Sequence, residues 1–99
     1  MIINIQNLLN INNPIIIDIR NNYYYNMGHI KNAISIPYYN LLNNYSHYLN
    51  KDNTYYLYCD TGDQSYDIAE RLQKFGYKTI SIDGGYIAYC RLKGELHKT

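Results

Sequence analysis

Apolar residues in this chain gather into short continuous runs, separated by stretches with helical spacing. Met1 to Ile5 reads as a short first strand, followed by a brief helix around Gln6 to Asn10. Asn13-Pro14 marks a turn, and Ile15-Ile16-Ile17-Asp18-Ile19 is a β-branched run suited to a strand buried on both faces. Asn21 to Met27 reads as a loop or short helix, and Ala33 to Ile36 as a short strand stopped by Pro37. Tyr38 to Leu49 is weakly helical, with Leu41, Leu42, Tyr45 and Leu49 on one face. Thr54 to Tyr58 is a strand. Tyr66 to Phe75 is the clearest helix, because Ile68, Ala69, Leu72 and Phe75 share one side and Gly76 supplies a stop. Thr79 to Ile82 makes the last strand, and a helix over Tyr86 to Leu92 follows Gly84-Gly85.

Strands and helices thus alternate along the chain. That order predicts a parallel sheet covered on both faces, with active groups outside the carboxyl ends of the strands. Cys59 falls at such an end. With 99 residues, the chain makes one small domain spanning 1–99.

Composition changes the picture little. Tyrosine, asparagine and isoleucine are heavily used, so the Tyr23-Tyr24-Tyr25 run is read as composition and packing. The formal net charge is +1 with the basic residues scattered, and no basic stripe points to nucleic acid. The N-terminus lacks the pattern of a signal peptide and the apolar runs are too short to span a bilayer, so a soluble cytoplasmic protein without membrane contact is expected. Cys59 and Cys90 fit neither a disulfide framework nor a Cys-x-x-Cys motif, and both should be thiols in a reducing compartment. Cys90 reads as a small buried apolar residue, Tyr86 and Tyr89 as packing residues, and Lys93, His97 and Lys98 as a solvated tail.

The segment Tyr55 to Phe75 carries the chemistry. A strand ends at Cys59, a short loop with Gly62 follows, and a helix begins. A thiol there faces backbone N–H groups and the positive end of a helix, an environment that favours the nucleophilic thiolate. Amides between Asp60 and Ser65, curled around the sulfur, would form an anion-binding nest, and Gly62 would supply a positive φ.

Several segments together resemble a single-domain rhodanese. They are Asp18-Ile19-Arg20, then Gly28-His29-Ile30 with Ala33 and Ile36-Pro37, then Tyr58-Cys59-Asp60-Thr61-Gly62-Asp63-Gln64-Ser65, then Leu72 with Gly76-Tyr77, and Asp83-Gly84-Gly85-Tyr86. They run in the family's order across about residues 15 to 89. The resemblance implies a three-layer α/β/α fold with a five-stranded parallel sheet of order 1-5-4-2-3. It implies that Cys59 takes a sulfur atom from thiosulfate, a polysulfide or a persulfide and passes it to a thiol or cyanide. Asp60, Thr61, Gly62, Asp63, Gln64 and Ser65 would line the substrate site, with no metal and no organic cofactor, and the acceptor could sit on a partner protein. Asp18, Arg20 and His29 match a signature taken as structural.

Two departures bear on substrate. Related phosphatases carry Cys-x5-Arg, whereas the sixth residue after Cys59 is Ser65, which argues against phosphate-ester chemistry. Many rhodaneses carry arginine at the position of Gln64, and here Asp60 and Asp63 stand beside it. Weak use of the thiosulfate dianion is therefore expected. The alternative reading is a feebly catalytic module that binds a partner protein or senses sulfur or oxidants.

Overall fold

The computed structural model describes residues 1–96, so His97 and Lys98 of the expected tail lie outside the described residues. Eleven elements follow one another: β1 (Ile2–Ile3), α1 (Ile5–Leu8), β2 (Ile15–Asp18), α2 (Asn22–Met27), β3 (Ile34–Ser35), α3 (Tyr38–Asn43), α4 (Tyr45–Tyr48), β4 (Thr54–Tyr58), α5 (Asp63–Lys74), β5 (Lys78–Ile82) and α6 (Gly85–Leu96). The five strands form one sheet of order β1-β5-β4-β2-β3, every pair parallel. The expected three-layer α/β/α architecture and strand order are both present.

Alternation along the central strands sorts side chains into two cores. Ile17, Ile19, Tyr55 and Leu57 face one way and pack with Leu41 and Leu49 and with Ile68, Ala69 and Leu72 of α5. Ile16, Tyr58 and Ile82 face the other way and pack with Ile5 and Leu8 of α1, Tyr89 of α6, and Ile30 and Ala33. Each fully buried leucine or isoleucine stabilises the fold by roughly 1.5–3 kcal/mol.

Element boundaries depart from the sequence reading where polar side chains cap the backbone. The first strand ends early because the Asn4 side chain accepts the Asn7 N–H at 2.8 Å and starts α1. Asn21 does the same for α2, accepting the Tyr24 N–H at 3.3 Å. The single helix expected over Tyr38 to Leu49 is two, divided at Asn44, whose φ of −137° and ψ of 32° are not helical. The apolar face survives that break: Leu41 and Leu49 are buried, with Leu42 and Tyr45 packed beside them. Phe75, expected on the buried side of α5, is 50 % exposed instead. It caps the end of that helix and stacks on Tyr45 with ring centroids 5.0 Å apart.

Cys90 also departs from expectation. It is exposed, on the α6 face that carries Ile87, Arg91 and Gly94, while Tyr89 takes the buried side. Lys93 is exposed, with its ammonium 5.3 Å from the centre of the Tyr89 ring. Among the described residues, no helix is long and apolar enough to cross a membrane.

A buried polar cluster lies within this apolar frame. The Asp18 carboxylate at the end of β2 is fully buried. It accepts the Arg20 backbone N–H at 2.9 Å, the Arg20 side chain through Nε and Nη2, and the Tyr58 hydroxyl at 2.7 Å. The same hydroxyl accepts the Ile30 N–H at 3.0 Å. Burial, reinforced by the hydrogen bond to Asp18, pushes the Tyr58 phenol above its ordinary pKa, so it stays neutral and donates.

Tyr58→Phe strips a donor from Asp18 and leaves the Ile30 N–H without an acceptor. A loss of about 2–4 kcal/mol in unfolding free energy is expected, measured by urea denaturation; a loss below about 1 kcal/mol would refute this assignment.

Candidate active site

The carboxyl ends of β2 and β4 lie side by side, with Asp18 paired to Tyr58, so the residues that follow each strand share one edge of the sheet. Arg20 leaves β2 there and Cys59 leaves β4. A cavity of about 460 Å³ opens between them, lined by Arg20, Asn21, Tyr24, Cys59, Asp60, Thr61, Asp63 and Gln64.

The Cys59 residue is only 4 % exposed, and it borders this cavity. Its Sγ accepts the Gly62 N–H at 3.1 Å and stands 3.7 Å from the Ser65 hydroxyl. Gly62 has φ of +108°, a turn that reverses the loop and opens α5 at Asp63, three residues earlier than expected. That early start changes the predicted nest. Among the described residues one backbone amide reaches the sulfur, because residues 63 to 65 already belong to the first helical turn. The N–H groups of that turn lack intrahelical acceptors.

Ser65 stands apart from the other loop residues. It is fully buried and bonds to Ser81 of β5 at 2.7 Å and to the Gly62 carbonyl at 3.1 Å. It therefore backs the sulfur from the protein side and does not wall the cavity. Thr61, Asp63 and Gln64 are exposed at the rim.

The loop's backbone is held by α6. Tyr86 donates its N–H to the Cys59 carbonyl at 2.9 Å, and Ile87 donates to the Asp60 carbonyl at 3.1 Å. These first-turn amides need partners, and the loop supplies them. The approach requires glycine: a Cβ on Gly85 would collide with the Cys59 carbonyl oxygen and stand 2.7 Å from that of Asp60, and φ there is +56°. Gly28 is less constrained, since its backbone is extended and a Cβ there would meet only the hydroxyl end of the Tyr86 side chain.

Arg20 is the residue that sequence reasoning under-read. Its structural role is present, in the buried pair with Asp18 and a bond from Nη2 to the Gly28 carbonyl at 2.7 Å. It also lines the cavity and reaches Asp60 through Nη1 at 3.3 Å, with its guanidinium 4.2 Å from the Tyr86 ring centre. Burial works against this charge, but hydrogen bonding and attraction to Asp18 outweigh it, so the guanidinium is held more firmly charged than usual. The signal available in the sequence was position: Arg20 follows a predicted strand at the same edge as Cys59.

Tyr24 and Asn21 also border the cavity, so the tyrosine run is not packing alone. Its neighbour Tyr25 does pack, donating its hydroxyl to the Ala33 carbonyl at 2.7 Å and stacking on His29 at 3.9 Å. His29 Nδ1 lies 2.9 Å from the Tyr25 carbonyl, away from the cavity's lining.

A family model, Rhodanese-like domain, matches residues 4–92, and the chain belongs to that family. It is similar to a rhodanese-related protein of Thermoplasma volcanium, with a TM-score of 0.85, 27 % identity, and 92 % of this chain and 91 % of that one covered. A rhodanese-like domain protein from Staphylococcus aureus aligns with a TM-score of 0.74 and 30 % identity, over 85 % of this chain and 81 % of that one. A tRNA uridine(34) hydroxylase of Buchnera aphidicola subsp. Baizongia pistaciae is 30 % identical over 95 residues. That match covers 88 % of this chain and 30 % of the hydroxylase, so the chain spans under a third of that curated relative.

Gly85→Ala is expected to lower stability by at least about 2 kcal/mol, because positive φ and the collision with the loop add. Gly94→Ala, with open space around it in the same helix, should instead stabilise by up to about 1 kcal/mol. Thermal denaturation of the two variants tests the pair, and equal effects would overturn the account of the α6 contact.

Proposed function

We propose that this chain is a sulfurtransferase that carries sulfane sulfur on Cys59. The observation that carries the reading is the Gly62 N–H donated to Sγ at 3.1 Å, on a sulfur that borders an open cavity. An amide at that distance can donate to the charged sulfur as well as to the thiol, and the charged form is the nucleophile.

In the first half-reaction, the Cys59 thiolate attacks the sulfane sulfur of a donor. A new S–S bond forms on Cys59, the donor's S–S bond breaks, and the leaving group departs with that electron pair, as sulfite from thiosulfate or as a thiolate from a persulfide. In the second, an acceptor thiolate or cyanide attacks the outer sulfur, and the Cys59 thiolate is regenerated. No net oxidation occurs and no metal or organic cofactor is required. The outer sulfur of the persulfide would extend toward the first turn of α5, where the Asp63 and Gln64 amides lack intrahelical acceptors. Ser65, locked to Ser81, keeps the inner sulfur from retreating into the core.

Intact mass measurement after incubation with polysulfide tests this. One added sulfur atom on wild-type protein is expected, removed by cyanide as thiocyanate, retained in Cys90→Ser and absent in Cys59→Ser. No adduct from polysulfide, thiosulfate or a small-molecule persulfide would refute the proposal. With thiosulfate, Gln64→Arg is expected to lower KM by about threefold to tenfold, by bringing a cation to the cavity rim; an unchanged KM would remove the electrostatic argument.

A further inference from the structure

Among the described residues Arg20 is the only cation lining the cavity; its cavity-facing edge is partly engaged, and the partner there is poorly anchored. A guanidinium has five N–H donors. On Arg20, Nε–H lies across both Asp18 oxygens, at 3.1 and 3.2 Å, and the two Nη2–H groups go to Asp18 at 2.8 Å and the Gly28 carbonyl at 2.7 Å. Nη1 is left for the cavity: one of its two N–H groups donates to Asp60 at 3.3 Å, and the other has no hydrogen-bond partner among the described residues. The Arg20 side chain is 6 % exposed, whereas that of Asp60 is 54 % exposed. One partner is fixed on every other edge and stacked on Tyr86, while the other is held by a single long contact.

Formal charges sharpen the point. Asp18 balances Arg20 behind the cavity wall, so Asp60 and Asp63 leave the opening acidic. A dianionic oxoanion entering there meets two carboxylates and a cation whose cavity-facing edge is half occupied and partly neutralised by Asp60. A donor whose leaving thiolate carries its charge on a single sulfur, remote from the rim, meets neither penalty to the same degree.

We infer that Asp60 is a specificity-determining residue: its carboxylate latches the cavity-facing edge of Arg20, withholds that cation from oxoanion donors, and leaves persulfides and polysulfides as the sulfur source. The inference deepens the proposed sulfurtransferase reading and rests on it for the identity of the reaction. It does not depend on Gln64. Releasing the latch should expose a preorganised cation, since Asp18, Gly28 and Tyr86 hold the guanidinium in place whether or not Asp60 is charged.

The test compares Asp60→Asn, Asp63→Asn and Asp52→Asn, each removing one negative charge, at fixed ionic strength. Asp63 borders the same cavity without touching Arg20, and Asp52 lies in the turn before β4, at the opposite end of that strand. Two readouts are taken: KM for thiosulfate, and protection of the Cys59 thiol from iodoacetamide by sulfate, which needs no turnover. In Asp60→Asn both midpoints should fall by about fivefold to tenfold, in Asp63→Asn by no more than about twofold, and in Asp52→Asn not at all. Equal gains in Asp60→Asn and Asp63→Asn would replace the latch with a general field effect, and no gain in Asp60→Asn would overturn it outright. Polysulfide loading of wild-type Cys59 is scored separately. If loading fails while sulfate protection shifts, the sulfur-carrier reading falls and the latch stands; if loading succeeds without the shift, the reverse holds.

Discussion

A carboxylate with no exposure to water sits at the end of β2, and the rest of the carboxyl edge is arranged around it. Removing Asp18 from solvent costs several kcal/mol unless the charge is paired and its lone pairs are filled. The chain meets that requirement with the guanidinium and backbone amide of Arg20, two residues beyond β2, and the phenol of Tyr58 at the end of β4. Because Tyr58 and Arg20 each have a further partner, on Ile30 and Gly28, the same charge also fixes the segment between α2 and β3. Losing Arg20 would strand a buried ion, a change of about 3–5 kcal/mol.

The sulfur's position follows from a second, independent restraint. Cys59 is the next residue after Tyr58, so the buried knot sets where the strand stops. Amides of α6 then hold the carbonyls of Cys59 and Asp60, and Gly62 turns the chain into α5. Backbone contacts therefore do the positioning, and the thiol is left with one amide, one hydroxyl and an opening. Placing a side chain on rigid elements in this way limits how far its sulfur can wander.

Much of this was legible in the order of residues. Unbroken β-branched runs such as Ile15-Ile16-Ile17 identify strands covered on both sides, and their alternation with helical periods leads to the parallel sheet. Cys59 stood out because a thiol between a strand and a glycine turn has few structural reasons to be there. What escaped was contact between distant segments. Nothing local in Arg20 marks it as a cavity wall as well as the partner of nearby Asp18, since the wall role depends on the loop of Cys59 and Asp60, forty positions away. The break at Asn44 and the solvent-facing Cys90 were missed for a related reason: weak periodicity does not say which side of a helix the core will claim. Ser65 looked like a rim residue because the helix was expected to start later than it does.

The contact between Gly28 and Tyr86 links two motifs that are far apart in the chain. The phenol occupies the volume that any side chain at position 28 would need, and the ring in turn lies over Arg20. A side chain at 28 would push the outer end of the phenol aside, and a smaller residue at 86 would uncover the guanidinium. A change at position 28 therefore reaches the cover over the guanidinium through the phenol between them, although the two residues are far apart in the chain.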